Sequence, residues 1–157
     1  MNTIKTLLAI GFLALATSMN AQDISKNAIG LRFGDNDGFG AEISYQRHLN
    51  QNNRLEFDLG FRSRDNVDAF KLVGLYQWVN KLDGRFNWYL GAGAGVGSYD
   101  TPGGSGSFAL VAGNVGIEYD FEIPLLISLD VRPELGFDDS YSDDLDFDIA
   151  LSIRYQF

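Results

Sequence analysis

The sequence predicts an all-β protein: an eight-stranded antiparallel up-and-down transmembrane β-barrel preceded by a cleavable signal peptide. Three observations predict it: a short apolar leader, eight segments in which apolar and polar residues alternate, and aromatic residues gathered near the segment ends. With 157 residues, 18 glycines, 12 phenylalanines and 7 tyrosines, the composition is that of one domain rich in strands and turns. The chain has no cysteine, which excludes disulfides and cysteine-ligated metals.

The leader begins with Lys5, continues through an apolar run at residues 7–16, and ends in Thr17, Ser18, Asn20 and Ala21. This is the order of a secretory signal peptide. A spanning helix needs roughly 20 apolar residues, so the run is too short to be an anchor. Cleavage is expected after Ala21, giving a signal peptide at 1–21 and a barrel domain at 22–157, which is 157 − 21 = 136 residues. Loss of Lys5 takes the formal charge from −9 to −10. So acidic a chain is ill suited to nucleic acid, whose binding rests on Lys and Arg contacts to phosphate.

Eight alternating segments follow, at 27–34, 39–49, 54–63, 68–79, 85–98, 108–121, 125–137 and 147–157. None has a helical period. The connections, at 35–38, 50–53, 64–66, 81–84, 101–107, 122–124 and 138–146, are rich in Gly, Asn, Asp and Pro, which supply the backbone angles of turns. Short connections join neighbouring antiparallel strands, so the expected topology is a meander. Closing eight such strands into a barrel removes both sheet edges and places the two termini at one end.

Alternation alone does not say which face meets water. The second segment sets Phe39, Ala41, Ile43 and Tyr45 against Gly40, Glu42, Ser44, Gln46 and His48; the third sets Leu55, Phe57, Leu59 and Phe61 against Arg54, Glu56, Asp58 and Arg62. In the fifth, Phe86, Trp88, Leu90, Ala92, Ala94 and Val96 oppose a face containing Gly91, Gly93, Gly95 and Gly97. A row of glycines serves no purpose in water, whereas a narrow interior crowded with long side chains needs such gaps.

Aromatic residues on the apolar face concentrate at two levels. Tyr45, Tyr76, Trp78, Phe86, Trp88, Tyr119, Phe121 and Tyr155, with Phe157, fall at the terminus-bearing end; Phe33, Phe39, Phe61, Phe70, Phe137 and Phe147 fall at the other. Aliphatic and small residues lie between. Two aromatic girdles around an aliphatic band are the lipid-facing surface of a transmembrane barrel, and strands of roughly 9–11 residues suffice to cross at a tilt. Only Arg47 is charged among these outward positions, and its stem can reach the interface. The opposite face then forms an interior charge network: Arg32, Glu42, Glu56, Asp58, Arg62, Lys71, Glu118, Asp130, Arg132, Glu134, Asp148 and Arg154. Charges in such a space must pair. Eight strands enclose room only for their own side chains, so the expectation is a plugged core with no diffusion pore.

The chain resembles the small eight-stranded outer-membrane β-barrel proteins of the OmpA/OmpX type. The resemblance covers the whole mature chain as architecture and two stretches as motif. The terminal strand carries Ile149, Leu151, Ile153, Tyr155 and a final Phe157, and is similar to the signal read by the outer-membrane assembly machinery. Residues 129–137 are similar to a penultimate barrel strand, with Pro133 a departure expected to mark a bulge. The resemblance implies a Gram-negative outer membrane, periplasmic termini, outer-membrane lipid around the barrel, and the assembly machinery and periplasmic chaperones as partners.

Candidate chemistry is sparse, and no catalytic, cofactor or metal site is expected. His48, the only histidine, shares a face with Ser44, but positions four apart in a strand are separated by roughly 13 Å, too far for a nucleophile and its base. A polar rim residue is the simpler reading. Residues 91–97 imitate a nucleotide-binding glycine loop without the helix that loop requires. The acidic stretch 138–146 and Asp35-Asn36-Asp37-Gly38 offer oxygen ligands for Ca²⁺, weighed against the ordinary role of a solvated, repelling loop. Interior carboxylates such as Glu56 and Asp58 lack a substrate-sized cavity. The sequence thus points to a non-enzymatic outer-membrane barrel with a structural, envelope-stability or surface-interaction role. Two rivals are a lipid-modifying outer-membrane enzyme and a secreted soluble barrel that binds a small apolar ligand.

Overall fold

In the computed structural model, which describes residues 25–34, 39–137 and 145–157, eight strands form one closed antiparallel barrel. They are β1 (Asn27–Gly34), β2 (Ala41–His48), β3 (Asn53–Arg64), β4 (Val67–Asp83), β5 (Phe86–Thr101), β6 (Gly104–Asp120), β7 (Leu125–Gly136) and β8 (Asp146–Gln156). Each strand pairs with its successor, and β8 closes on β1 with Ile29 opposite Tyr155 and Phe33 opposite Leu151. The topology is the predicted meander. The leader and the stretches 35–38 and 138–144 lie outside the described residues, so the signal peptide and most of the Ca²⁺ candidates fall there.

Strands β4, β5 and β6, of 17, 16 and 17 residues, are longer than their alternating patterns. Pairing continues to Asp83 opposite Phe86 and to Thr101 opposite Gly104, which shrinks both connections to two residues. Gly84 at φ +54° and Gly104 at φ +143° occupy backbone conformations that L side chains resist, and this allows the tight reversals. Between β3 and β4, Asp65 and Asn66 both have positive φ, 54° and 61°, as a two-residue type I′ hairpin requires.

Two expectations need correction. Phe39 does not join the outer girdle: it is buried inside the barrel, with the Lys71 ammonium 4.9 Å from its ring centroid. Its place in the alternation is broken by Gly40 at φ +73°, just before β2 begins, so parity counted back from Ile43 fails there. Pro133 produces no bulge. Ala112 opposite Glu134 and Val115 opposite Val131 belong to one register, and Pro133 stays opposite Phe147 on β8. The missing donor leaves a gap in the β6–β7 ladder at Gly113 and Asn114, with the register unchanged.

The interior also holds apolar residues. Phe39, Val73, Leu75, Phe108, Leu110 and Ala112 form a cluster, with Ala69 and Tyr99 against it. Glycines of β5 make room for it. A Cβ on Gly95 would lie 3.0 Å from Val73 Cγ2 and 3.1 Å from Leu110 Cδ1, and one on Gly97 would strike the Phe108 ring and the Phe70 carbonyl. Gly97→Val should therefore cost about 1–3 kcal/mol of folding free energy by overpacking. Gly103→Ala, whose nearest obstacle is Thr101 Oγ1 at 3.9 Å, should stay within about 0.5 kcal/mol. Urea unfolding in detergent micelles checks the pair.

Candidate functional site: a charged interior within an apolar wall

Burial is inverted relative to a water-soluble protein. Arg32, Arg54, Lys71, Arg132 and Arg154 are at most 1% exposed, whereas Ile43, Leu90, Val115, Leu129 and Leu151 are 46–51% exposed. Cross-strand register explains it: outward residues on neighbouring strands face the same side, as in Ile43 opposite Leu31 and Leu59.

The interior network has two parts. Nearer the termini, Arg54 pairs with Glu118 at 2.7 Å, donates from Nε to Gln77 at 2.5 Å, and lies 4.7 Å from the Tyr89 ring centroid. On the same level, Arg154 reaches Glu56 at 3.2 Å, Ser44 Oγ at 3.0 Å and Ser128 Oγ at 2.8 Å, while Gln46 Nε2 donates to Glu56 at 2.5 Å. Each guanidinium here meets one carboxylate plus neutral oxygens, which desolvated charge needs.

Above it, Arg132 is surrounded by Glu134 at 2.7 Å, Glu42 at 2.8 Å, Asp58 at 2.9 Å and Asp148 at 3.5 Å. Arg32 pairs with Asp130 at 2.7 Å, Glu42 at 3.0 Å and Asp148. Lys71 contacts Glu134 at 3.0 Å and Glu42 at 3.8 Å. These residues come from β1, β2, β3, β4, β7 and β8, so the ion pairs tie distant staves across the lumen.

On the outer surface, Phe33, Phe61, Phe70, Phe137 and Phe147 are exposed near the end opposite the termini. At the terminus-bearing end the rings touch one another. Tyr76 and Trp78 meet edge-on at 5.1 Å, Phe86 and Tyr119 at 4.7 Å, Tyr119 and Phe121 at 4.7 Å, and Tyr155 stacks on Phe157 at 6.3 Å. Such edge and offset contacts suit the aromatic quadrupole. Tyr45 donates its hydroxyl to Asn27 Oδ1 at 2.7 Å, and Arg47 reaches the same oxygen at 3.3 Å, so the one outward cation is held at the rim.

No protein-family model matches the chain, and no curated protein matches it. Among solved structures it is similar to Ail, the attachment invasion locus protein of Yersinia pestis, at 17% identity over 83% of this chain and 96% of that one, with a TM-score of 0.55. Neisserial surface protein A is similar at 11% identity over 83% and 93%, with a TM-score of 0.59. A designed transmembrane β-barrel is similar at 12% identity over 87% and 98%, with a TM-score of 0.54. The chain has the fold of the small eight-stranded outer-membrane β-barrels of the OmpA/OmpX type.

Within this outer-membrane barrel fold, the soluble apolar-ligand reading fails, because it requires the apolar face to turn inward and that face is the outer wall. Of the twelve residues expected in the interior network, Arg62 alone is not drawn in. It is half-buried near the end of β3 opposite the termini, lining a shallow cleft with Phe61, Ser63, Asp68, Phe70 and Asp100, and forms no ion pair among the described residues. Participants outside those twelve are Arg54, Tyr89, whose hydroxyl donates to Asp130 at 3.3 Å, and the neutral Gln77, Gln46, Ser44 and Ser128. Their inward parity was readable, since Arg54 shares a face with Glu56 and Gln77 with Lys71. His48 ends β2 at the terminus-bearing rim, and Ser44 is engaged by Arg154, so the two form no catalytic pair.

Proposed function

We propose that this barrel resides in the outer membrane of a Gram-negative bacterium, with both termini periplasmic. Its role is envelope stability or surface interaction, its lumen is plugged by side chains, and it is not an enzyme. The observation that carries the reading is the pairing of an exposed, aromatic-bounded apolar wall with a lumen of buried salt bridges. In lipid, that wall needs no water and the closed ladder leaves no edge to satisfy. A surface role draws support from neighbours whose names speak of attachment, invasion and a surface. The sole histidine lies at the terminus-bearing rim, which in this orientation is periplasmic and distant from outer-leaflet lipid. The residues Ile149, Leu151, Ile153, Tyr155 and Phe157 fit the role of the strand that the assembly machinery reads, delivered by periplasmic chaperones.

Fractionation with gel heat-modifiability and liposome swelling tests the proposal. Recovery in the membrane, faster migration before boiling, and no increase in sugar permeability are expected. Recovery in the soluble fraction would remove the membrane assignment, and rapid swelling would remove the plugged lumen.

A further inference from the structure

The buried charges do not balance, and the imbalance is confined to one part of the lumen. Among the described residues, five cationic side chains are buried, Arg32, Arg54, Lys71, Arg132 and Arg154, against seven carboxylates, Glu42, Glu56, Asp58, Glu118, Asp130, Glu134 and Asp148. The other described cations, Lys26, Arg47, Arg62, Arg64, Lys81 and Arg85, are half-buried or exposed. Arg54 with Glu118 and Arg154 with Glu56 are one-to-one pairs. What remains is a central cluster of three cations, Arg32, Lys71 and Arg132, among five carboxylates, Glu42, Asp58, Asp130, Glu134 and Asp148. These carboxylates are at most 3% exposed, and in the plugged lumen proposed above, on which this inference rests, two uncompensated negative charges are costly and the usual relief is neutralisation.

We propose that the folded barrel carries about two protons on this central cluster and takes them up as it folds, so that the lumen acts as a pH-sensitive lock. Glu42, Glu134 and Asp148 each contact at least two cations. Asp58 has only Arg132, with its Oδ1 unpartnered, and Asp130 has Arg32 and the Tyr89 hydroxyl. Asp58 and Asp130 are therefore the sites assigned the protons. The charged and titratable groups buried with them in the lumen are Arg32 from β1, Glu42 from β2, Arg54 and Glu56 from β3, Lys71 from β4, Tyr89 from β5, Glu118 from β6, Arg132 and Glu134 from β7, and Asp148 and Arg154 from β8. A metal is the weaker counter-charge, because no three His, Cys, Asp or Glu residues among those described are placed to hold one.

The sign follows from linkage. Above about pH 5 the unfolded chain has released its carboxyl protons, whereas the folded barrel retains two, so stability falls as pH rises. Until the folded groups themselves release, the unfolding equilibrium constant should grow by about 100-fold per pH unit, which is the second power of proton concentration.

The test is to dilute urea-unfolded protein into weakly buffered detergent micelles at pH 8 with an indicator dye. About two protons should be taken up per folded chain, and the Asp58→Asn, Asp130→Asn double variant should take up none and lose the pH dependence of its unfolding. Infrared spectroscopy of the folded wild type gives a readout that does not require the variant to fold: a protonated carboxyl carbonyl stretch should be present at pH 8. No uptake and no such band would overturn the proposal. Stability set by sodium concentration instead of pH would overturn it in favour of a bound cation.

Discussion

Arg132→Met should destabilise the barrel by about 3–5 kcal/mol. The guanidinium lies within 3.5 Å of Glu42, Asp58, Glu134 and Asp148, and is completely buried. Methionine fills much of its volume but offers no counter-charge, so four buried acidic side chains lose a shared partner. Arg85→Met is the matched control. Arg85 pairs with Glu122 at 3.3 Å, but at 41% and 84% side-chain exposure the pair is solvated and its loss should cost roughly 0–1 kcal/mol. Reversible urea unfolding in micelles measures both. A loss under 1 kcal/mol for Arg132→Met would mean that the lumen is wet enough to screen its charges, contrary to a plugged interior.

Leu151→Arg should cost roughly 2–4 kcal/mol in a bilayer. Leu151 lies midway along β8 between Phe147 and Tyr155, is 46% exposed on the outer wall, and stands opposite Leu129 and Phe33. An arginine there must place its charge near the hydrocarbon midplane or bend its stem toward an interface. Tyr155→Arg, one girdle lower, should cost no more than about 1 kcal/mol from charge placement, because depth sets the penalty. Equal costs for the two substitutions would contradict the depth ordering. The neighbouring Ser152 is fully buried in the lumen, which shows how one step along the strand changes the environment from lipid to ion-pair network.

Much of the architecture was legible because period two is a robust signal: Ile149, Leu151 and Ile153 alternate with Asp148, Ala150, Ser152 and Arg154 without interruption. The lumen was less so. In β4 the run Leu72-Val73-Gly74-Leu75 is apolar on both faces, which hides the inward Val73 and Leu75 and hence the apolar cluster they form with Leu110 and Phe108. Phe39 was unreadable because one left-handed glycine resets parity, and backbone φ is not written in a residue's hydrophobicity. Charge pairing was equally hidden. Glu42 lies 90 residues from Arg132 in sequence, and only closure of the barrel brings them to 2.8 Å. Strand ends at Asp83 and Thr101 escaped because turn-forming residues can also occupy the tip of a tight hairpin.

The two tryptophans test most directly whether the apolar wall lies in lipid. Trp78 and Trp88, the only tryptophans in the chain, are 46% and 40% exposed in the girdle nearer the termini. In vesicles of lipids brominated at defined depths, their fluorescence should be quenched most strongly by bromines high on the acyl chain and less by bromines near the bilayer centre. Emission unaffected by bromine at any depth would contradict a lipid-facing wall.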